Sequence, residues 1–467
     1  MKREIRGKPL EIMVLAVFLL ANIFNQNAFG ARAGAVMPDQ PPVDVVALYQ
    51  LTPTAGGNAD LKIAGWNGLQ TVTATVDNTG NSYLTDMKIG PVSKNIYVIY
   101  LKSFSSFPAY SLHLDIRSSV TKVINTQQLP PLPAGLTIKA VGLAVRDNNG
   151  VEEPHVVVLG ETSTQASVYY YKQIGTGWVQ TTPYSTARNT KRFGTYVKLE
   201  LLTPNSPTAT ITFAQITTTI NGDQADVMTW FYDTTTAAFP PVANFTTLAT
   251  QKVWSGELTG GGSAVAKPFD FMIDYKTNRT LLTTTPAPVW HDYPSAGSEV
   301  YANSGYIQTL LNKPPMGPLQ GPWGAGAISS VRVGTQRNFQ LVTIEQPGNF
   351  GHIQLGQGGK ELKIYTSPDL SVPPVSQTID ALPIAAGKPY FISPTVTSHP
   401  NSSLTYVGII YDNPLTSASC TSSTVSTCHQ VRVYYYNNTL RVWKNVILDS
   451  APTTTYKIEN LLLMLQI

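Results

Sequence analysis

Three acidic residues each close an apolar, strand-like run. Glu161 ends Pro154-His155-Val156-Val157-Val158-Leu159-Gly160-Glu161, Glu345 ends 338–345, and Asp412 ends Leu404-Thr405-Tyr406-Val407-Gly408-Ile409-Ile410-Tyr411-Asp412. Carboxylates gathered on one rim could bind ligand hydroxyls or act as general acid and base, and glycoside hydrolysis would need two of them about 5 to 10 Å apart. The plainer alternative is that these acids end strands and cap turns. A second cluster, Trp290-His291-Asp292-Tyr293, lies between Pro288 and Pro294. It puts stacking surface beside hydrogen-bonding groups on what reads as a long irregular loop, the usual makings of a sugar or peptide site. The competing reading has Trp290 filling space between packed elements.

Recognised catalytic signatures are missing. The chain has no Gly-x-Ser-x-Gly elbow, no His-Glu-x-x-His, no nucleotide-binding glycine loop and no Asp-x-Asp-x-Asp-Gly calcium loop. Neither a cofactor nor a metal is expected. Cys420 and Cys428 are the only cysteines, and although His429 adjoins the second, a structural zinc needs four ligands. In an oxidising compartment the two should form a disulfide, contributing roughly 2 to 3 kcal/mol by chain closure and shaping a loop rather than holding the fold. Asn244, Asn278, Asn401 and Asn437 each begin an Asn-x-Ser/Thr triplet, no more than chance supplies in a chain so rich in Asn, Ser and Thr.

The elements that must position these groups are repeated. Val168-Tyr169-Tyr170-Tyr171 is followed by Trp178, and Val433-Tyr434-Tyr435-Tyr436 by Trp443 at the same offset. Each copy reads as strand, polar turn, and second strand ending in a large aromatic, and each is preceded by one of the acid-closed runs. Segments 138–146 and 390–397 lie further upstream, which makes four strands per unit. Weaker copies pair 96–101 with 111–115, 209–216 with 227–232, and 338–345 with 361–366. A poorly marked unit between about 250 and 320 offers 269–274 and 305–311. Near-continuous apolar runs suit strands covered on both faces, whereas alternation suits outer strands.

This pattern over 46–467 resembles the β-propeller superfamily, by architecture and not by any one family's motif. The Trp-Asp ending of WD repeats is missing, and Asp223 to Trp230 departs from a sialidase-type Asp box by two extra residues and an alanine in place of glycine. The resemblance implies an all-β fold of about seven four-stranded blades, with six as the smaller count. The seventh would be shared between strand-like 61–64 and 70–76 and the apolar 456–467, so that no edge is left open. Tandem β-sandwiches are the alternative. Trp178 and Trp443 read as blade packing.

The N-terminus carries Lys2, Arg3, Arg6 and Lys8, an apolar stretch over 12–24, and small residues at Ala28-Phe29-Gly30. This is the layout of an export signal covering 1–30, followed by a linker at 31–45. The apolar stretch falls short of the roughly 20 residues a spanning helix needs, and an uncleaved membrane anchor is the alternative. Removing 1–30 leaves 28 Lys+Arg against 26 Asp+Glu, so nothing favours capture of nucleic acid. The expectation is a secreted or periplasmic, monomeric or weakly associating binding module for a glycan or an extracellular protein. A carbohydrate-active hydrolase or lyase, and a structural part of an envelope or secretion assembly, are the alternatives.

Overall fold

The computed structural model describes residues 44–466 apart from 81–83, 104–109, 190, 202–203, 206–207, 220–221, 234–250, 259–269, 275–278, 284–287, 293–322, 334–335, 346–359, 368–374, 383–389, 399–403, 414–417, 422, 425–426 and 438–439; for 216–339 and Glu345, among others, it describes the backbone alone. The chain divides into one unit of Met1–Gln40 with Asn437–Val442 and another of Pro41–Tyr436 with Trp443–Ile467, and the sheets below belong to the second, apart from the Asn437–Val442 turn. No described helix is long and apolar enough to cross a membrane.

The protein is an all-β propeller, and its described residues form seven antiparallel sheets, six of four strands and one of three. Blade I joins β1 (Asp44–Pro53), β2 (Ala59–Trp66) and β3 (Thr71–Gly80) to β27 (Tyr456–Gln466) in the order β27-β1-β2-β3. Blade II holds β4 (Thr85–Ile89), β5 (Ile96–Ser103), β6 (Tyr110–Arg117) and β7 (Val123–Gln128). Blade III holds β8 (Thr137–Asn148), β9 (Val151–Glu161), β10 (Gln165–Ile174) and β11 (Gly177–Ala187), and blade IV holds β12 (Arg192–Leu201), β13 (Thr208–Thr219), β14 (Gly222–Asp233) and β15 (Gln251–Leu258). Blade V has β16 (Asp270–Asp274), β17 (Arg279–Thr283) and β18 (Pro288–Asp292). Blade VI has β19 (Trp323–Val333), β20 (Gln336–Glu345), β21 (Glu361–Ser367) and β22 (Val375–Ala381), and blade VII has β23 (Tyr390–Ser398), β24 (Thr405–Asp412), β25 (His429–Asn437) and β26 (Val442–Ala451).

Each sheet is a run of consecutive strands except blade I, which takes its innermost strand from the other end of the chain: Val45 pairs with Leu465 and Leu51 with Ile458. An immunoglobulin-type sandwich mixes strands from distant parts of the chain within each sheet, unlike the consecutive four-strand runs seen here. The innermost strands pack in the succession β16, β19, β23, β27, β4, β8, β12. Burial follows position within a blade. Pro154 to Glu161 of β9 and Ala166 to Tyr171 of β10 are buried without a break, whereas β7 and β22 are almost wholly exposed.

The strands expected at 269–274 appear as β16, while 305–311 lies outside the described residues. β1 had no sequence counterpart. The Asp-box-like stretch runs inside β14 as continuous strand, with no turn to hold a loop site. Local chemistry sets register where it can: β8 and β9 meet in a two-residue turn at Asn149 (φ 54°) and Gly150 (φ 87°), both in the left-handed region that a type I′ hairpin requires.

At five blade junctions a polar group on the outermost strand of one blade accepts a hydrogen bond or ion pair from the next. Asp77 of β3 takes Lys102 at 2.9 Å, Gln127 of β7 takes the Trp178 indole N–H at 2.9 Å, and Tyr184 of β11 takes Gln215 at 3.0 Å. Asp380 of β22 takes the Tyr434 hydroxyl at 2.6 Å, and Asp449 of β26 takes the Tyr49 hydroxyl. Burial first, then the facing carboxylate, pushes the Tyr49 and Tyr434 phenols well above their ordinary range, so both remain donors. Losing the donor would leave Asp380 or Asp449 short of a partner at a closed seam. Tyr434→Phe and Tyr49→Phe are therefore each expected to lower the free energy of unfolding by about 1 to 3 kcal/mol, read from guanidinium titrations.

Candidate functional site

Glu161, Glu345 and Asp412 occupy equivalent places, each the last residue of its blade's second strand, in blades III, VI and VII. Their surroundings differ. Blade III turns from β9 to β10 through Thr162-Ser163-Thr164, a tight turn in which the Thr162 hydroxyl accepts the Gln165 N–H at 3.0 Å. Glu161 is 2 % exposed. Its carboxylate accepts the Phe193 backbone N–H at 2.6 Å and Arg188 Nε at 3.2 Å, with Lys139 Nζ at 3.5 Å. Phe193 belongs to blade IV, so Glu161 fastens two blades together, which is the capping reading of this acid. Glu345 lies opposite Glu361 in the β20–β21 register, and its side chain is outside the description.

Asp412, like Glu345, precedes a long second-to-third-strand connection, here over 413–428, in contrast to the three-residue turn after Glu161. His429, the first residue of β25, donates from Nδ1 to the Asp412 carboxylate at 2.8 Å, while the Asp412 side chain stays 32 % exposed. Cys420 and Cys428 are disulfide-bonded with Cα atoms 6.2 Å apart, as their spacing led one to expect. The bridge closes a hydroxyl-rich turn: Thr421 Oγ1 lies 2.9 Å from Ser423 Oγ and 3.1 Å from Thr424 Oγ1, and Thr424 Oγ1 donates to the Ser419 carbonyl at 3.0 Å. Thr421 and Ser423 are exposed. The connection thus holds a covalently closed loop of hydroxyls, and the residue after its second cysteine, His429, pairs with the partly exposed Asp412 carboxylate.

The Trp290 cluster requires a correction. Trp290, His291 and Asp292 are not in an irregular loop but in β18, opposite Leu281, Thr280 and Arg279 of β17, and Tyr293 lies outside the described residues. Pro288 stands at the first position of that strand, where the absent N–H costs least, so this proline marked a strand boundary and not a loop, and Pro294 lies outside the described residues. Trp178 and Trp443 serve packing as expected. Trp178 lies against the core between blades II and III, and Trp443 meets the Tyr436 ring at 5.6 Å. Asn437 is 2 % exposed, its side chain accepting the Leu440 N–H at 2.8 Å. No group of three or more His, Cys, Asp or Glu side chains that could hold a metal occurs among the described residues.

Sequence reading missed His429 as the partner of Asp412. Once β24 and β25 are paired with Tyr411 opposite Gln430, His429 must face Asp412, so the signal lay in register and not in composition. Also missed was Glu152 of β9, which reaches across to blade II and accepts the Val92 N–H at 2.9 Å, the Ser93 N–H at 2.8 Å, the Ser93 hydroxyl at 2.6 Å and the Tyr97 hydroxyl at 2.6 Å. Burial alone would raise this carboxyl. The hydrogen bonds from Ser93, Tyr97 and Val92 outweigh it and hold Glu152 below the ordinary carboxylate range.

No protein-family model matches the chain, and no curated protein matches it. Among solved structures it is similar to the WD40 domain of SCAP from fission yeast (8 % identity, TM-score 0.35, 88 % of each chain covered) and to the fucose-specific lectin from Aleuria aurantia (10 %, 0.36, 89 % of this chain and 98 % of that one). A third is the Bombyx mori GH32 β-fructofuranosidase BmSUC1 (11 %, 0.34, 91 % and 92 %). At this level of likeness no ligand or activity transfers, and the fold assignment rests on strand order.

The two measurable acids should separate cleanly on substitution. Glu161→Ala strands the buried Phe193 N–H and two cations and should cost about 2 to 4 kcal/mol in chemical denaturation. Asp412→Ala, where a partly exposed carboxylate leaves only the buried His429 without its partner, should cost less, about 0.5 to 1.5 kcal/mol.

Proposed function

We propose that this chain is an exported β-propeller that binds a glycan or an extracellular protein through the loops on one face, with the blade VII connection as the principal contact. The observation that carries the reading is a pair of features of one connection: the disulfide-closed turn of Thr421, Ser423 and Thr424, and the partly exposed Asp412 held by His429, the residue that follows Cys428. Exposed hydroxyls and one carboxylate on a short covalent loop offer donors and acceptors already held in place, which is what recognition of a hydroxylated ligand requires. Near-neutral charge suits a partner met by hydrogen bonding and stacking rather than by electrostatic capture. Export rests on the basic and apolar N-terminal segment; the mature protein should begin at or just after Ala31, as N-terminal sequencing of secreted material would establish.

One observation favours a second reading. An imidazole held by a carboxylate is the base half of an acid–base site, so the Asp412 and His429 pair fits a carbohydrate-active hydrolase as well. A glycan array and an extracellular-protein display, both with the secreted protein, decide between them. Binding without turnover that falls at least ten-fold in Asp412→Ala, and likewise in a Cys420→Ser/Cys428→Ser double variant, supports the binding module. Saccharide cleavage abolished in Asp412→Asn supports the hydrolase, and unchanged binding in both variants removes the blade VII loop from the site.

A further inference from the structure

The connection from β4 to β5 in blade II, over 90–95, is held in shape by bonds of its own. The Gly90 N–H donates to the Asn95 carbonyl at 2.8 Å, the Lys94 N–H to the Gly90 carbonyl at 3.2 Å, and the Asn95 N–H to Ser93 Oγ at 3.1 Å. Lys94 takes a φ of 61°, a left-handed conformation that a lysine keeps only where its surroundings impose it. Its ammonium donates to the Pro91 carbonyl at 3.0 Å, and its own carbonyl accepts from Gln466 Nε2, near the end of β27, at 3.0 Å. None of these bonds involves a carboxylate, so the shape of the loop does not depend on one.

Four neutral donors are left over, and they aim at one place. The Val92 and Ser93 N–H groups meet one Glu152 oxygen at 2.9 and 2.8 Å, while the Ser93 and Tyr97 hydroxyls meet the other, each at 2.6 Å. Successive backbone N–H groups turned the same way form an anion-binding concavity. Burial, and then the hydrogen bond to Glu152, pushes the Tyr97 phenol above its ordinary range, so it stays a donor. Gly90 makes the room: a Cβ there would overlap Glu152 Oε1 and stand 2.7 Å from Cδ. Among the described residues no cation pairs with Glu152, whereas Glu161 has Arg188 and Lys139. Val92 and Ser93 are exposed and Glu152 is only partly buried, so the concavity opens to solvent.

We propose that the 90–95 loop is a preformed site for the carboxylate of a ligand, and that Glu152 of blade III stands in it in place of that group. Receptor and occupant belong to different blades, so one can be removed while the other keeps its form. The four donors divide two to each oxygen, which matches a planar carboxylate and leaves none of them for the third oxygen of a phosphate or sulfate. First-to-second-strand connections lie at the opposite strand ends from second-to-third ones, so this site is separate from the blade VII connection and does not rest on its role.

Thermal unfolding of the intact chain near neutral pH, in sodium acetate against sodium chloride of equal ionic strength, tests this. Glu152→Ala empties the site, so acetate at about 0.2 M should raise its melting temperature by about 1 to 3 °C beyond whatever it adds to the wild type, where the site is filled. Adding Gly90→Ala to that variant sets a methyl group where the carboxylate oxygen would lie and should abolish the gain. Sodium glucuronate or N-acetylglutamate amide acting as strongly as acetate identifies an acidic sugar or an acidic side chain as the source of the group. Should Glu152→Ala give too little folded protein in chloride, its refolding yield is compared in the two salts and should be at least about two-fold higher in acetate. An equal acetate effect in all three proteins, an equal yield in both salts, or a response to acetate with none to either larger carboxylate overturns the proposal.

Discussion

A blade of four strands has two broad faces to cover and an outer edge to finish, and it finishes that edge with its neighbour. The acceptors Asp77, Gln127, Tyr184, Asp380 and Asp449 all sit on outermost strands and all receive a group from the following blade. A polar atom at the margin of a packed interface is costly unless paired, so each such bond ties the orientation of one blade to that of the next. Apolar packing supplies the attraction between sheets, as in the cluster that joins Val45 and Tyr49 of blade I to Tyr406 and Val433 of blade VII. The directional bonds then select one relative placement from the many that packing alone would allow.

Much of this architecture was legible in sequence because propeller strands carry their burial in their composition. Pro154 to Glu161 and Leu404 to Asp412 read as strands covered on both sides, and Pro154 to Glu161 and Thr405 to Tyr411 are buried without a break. The shared blade was legible from the apolar segment that became β27. What escaped were features that composition does not encode. β1 contains Asp44, Tyr49, Gln50 and Pro53 among its apolar residues and shows no repeat match, and it is recognisable only through its partners β2 and β27. The acceptors did leave a trace: Gln127-Gln128-Leu129-Pro130, Asp380-Ala381-Leu382-Pro383 and Asp449-Ser450-Ala451-Pro452 share a polar residue three places before a proline. Pro130 and Pro452 lie just beyond the ends of the outermost strands β7 and β26, where a missing N–H does no harm to a ladder.

The candidate site was legible as a set of positions and not as a set of roles. Three acids fall at equivalent strand ends, yet position alone could not tell that Glu161 would be consumed by Phe193, Arg188 and Lys139 while Asp412 stayed partly exposed. The difference comes from the length of the connection that follows. A three-residue turn folds its strand end into the neighbouring blade, whereas the stretch over 413–428 leaves its own near solvent. Loops of unequal length on equivalent strands are how a repetitive scaffold acquires a local site.

Blade I draws its innermost strand from residues more than 370 positions beyond the rest of it, since β3 ends at Gly80 and β27 begins at Tyr456. During synthesis, β1 to β3 are complete while every later blade has still to be made, and the inner edge of β1 offers its backbone groups to any extended chain that passes. A nascent polypeptide in that condition is a target for chaperones and for strand exchange with a sibling molecule. The pairing of Ala47 with Leu463 ends that exposure, so blade I is complete only once one eleven-residue strand has arrived from the far end of the chain.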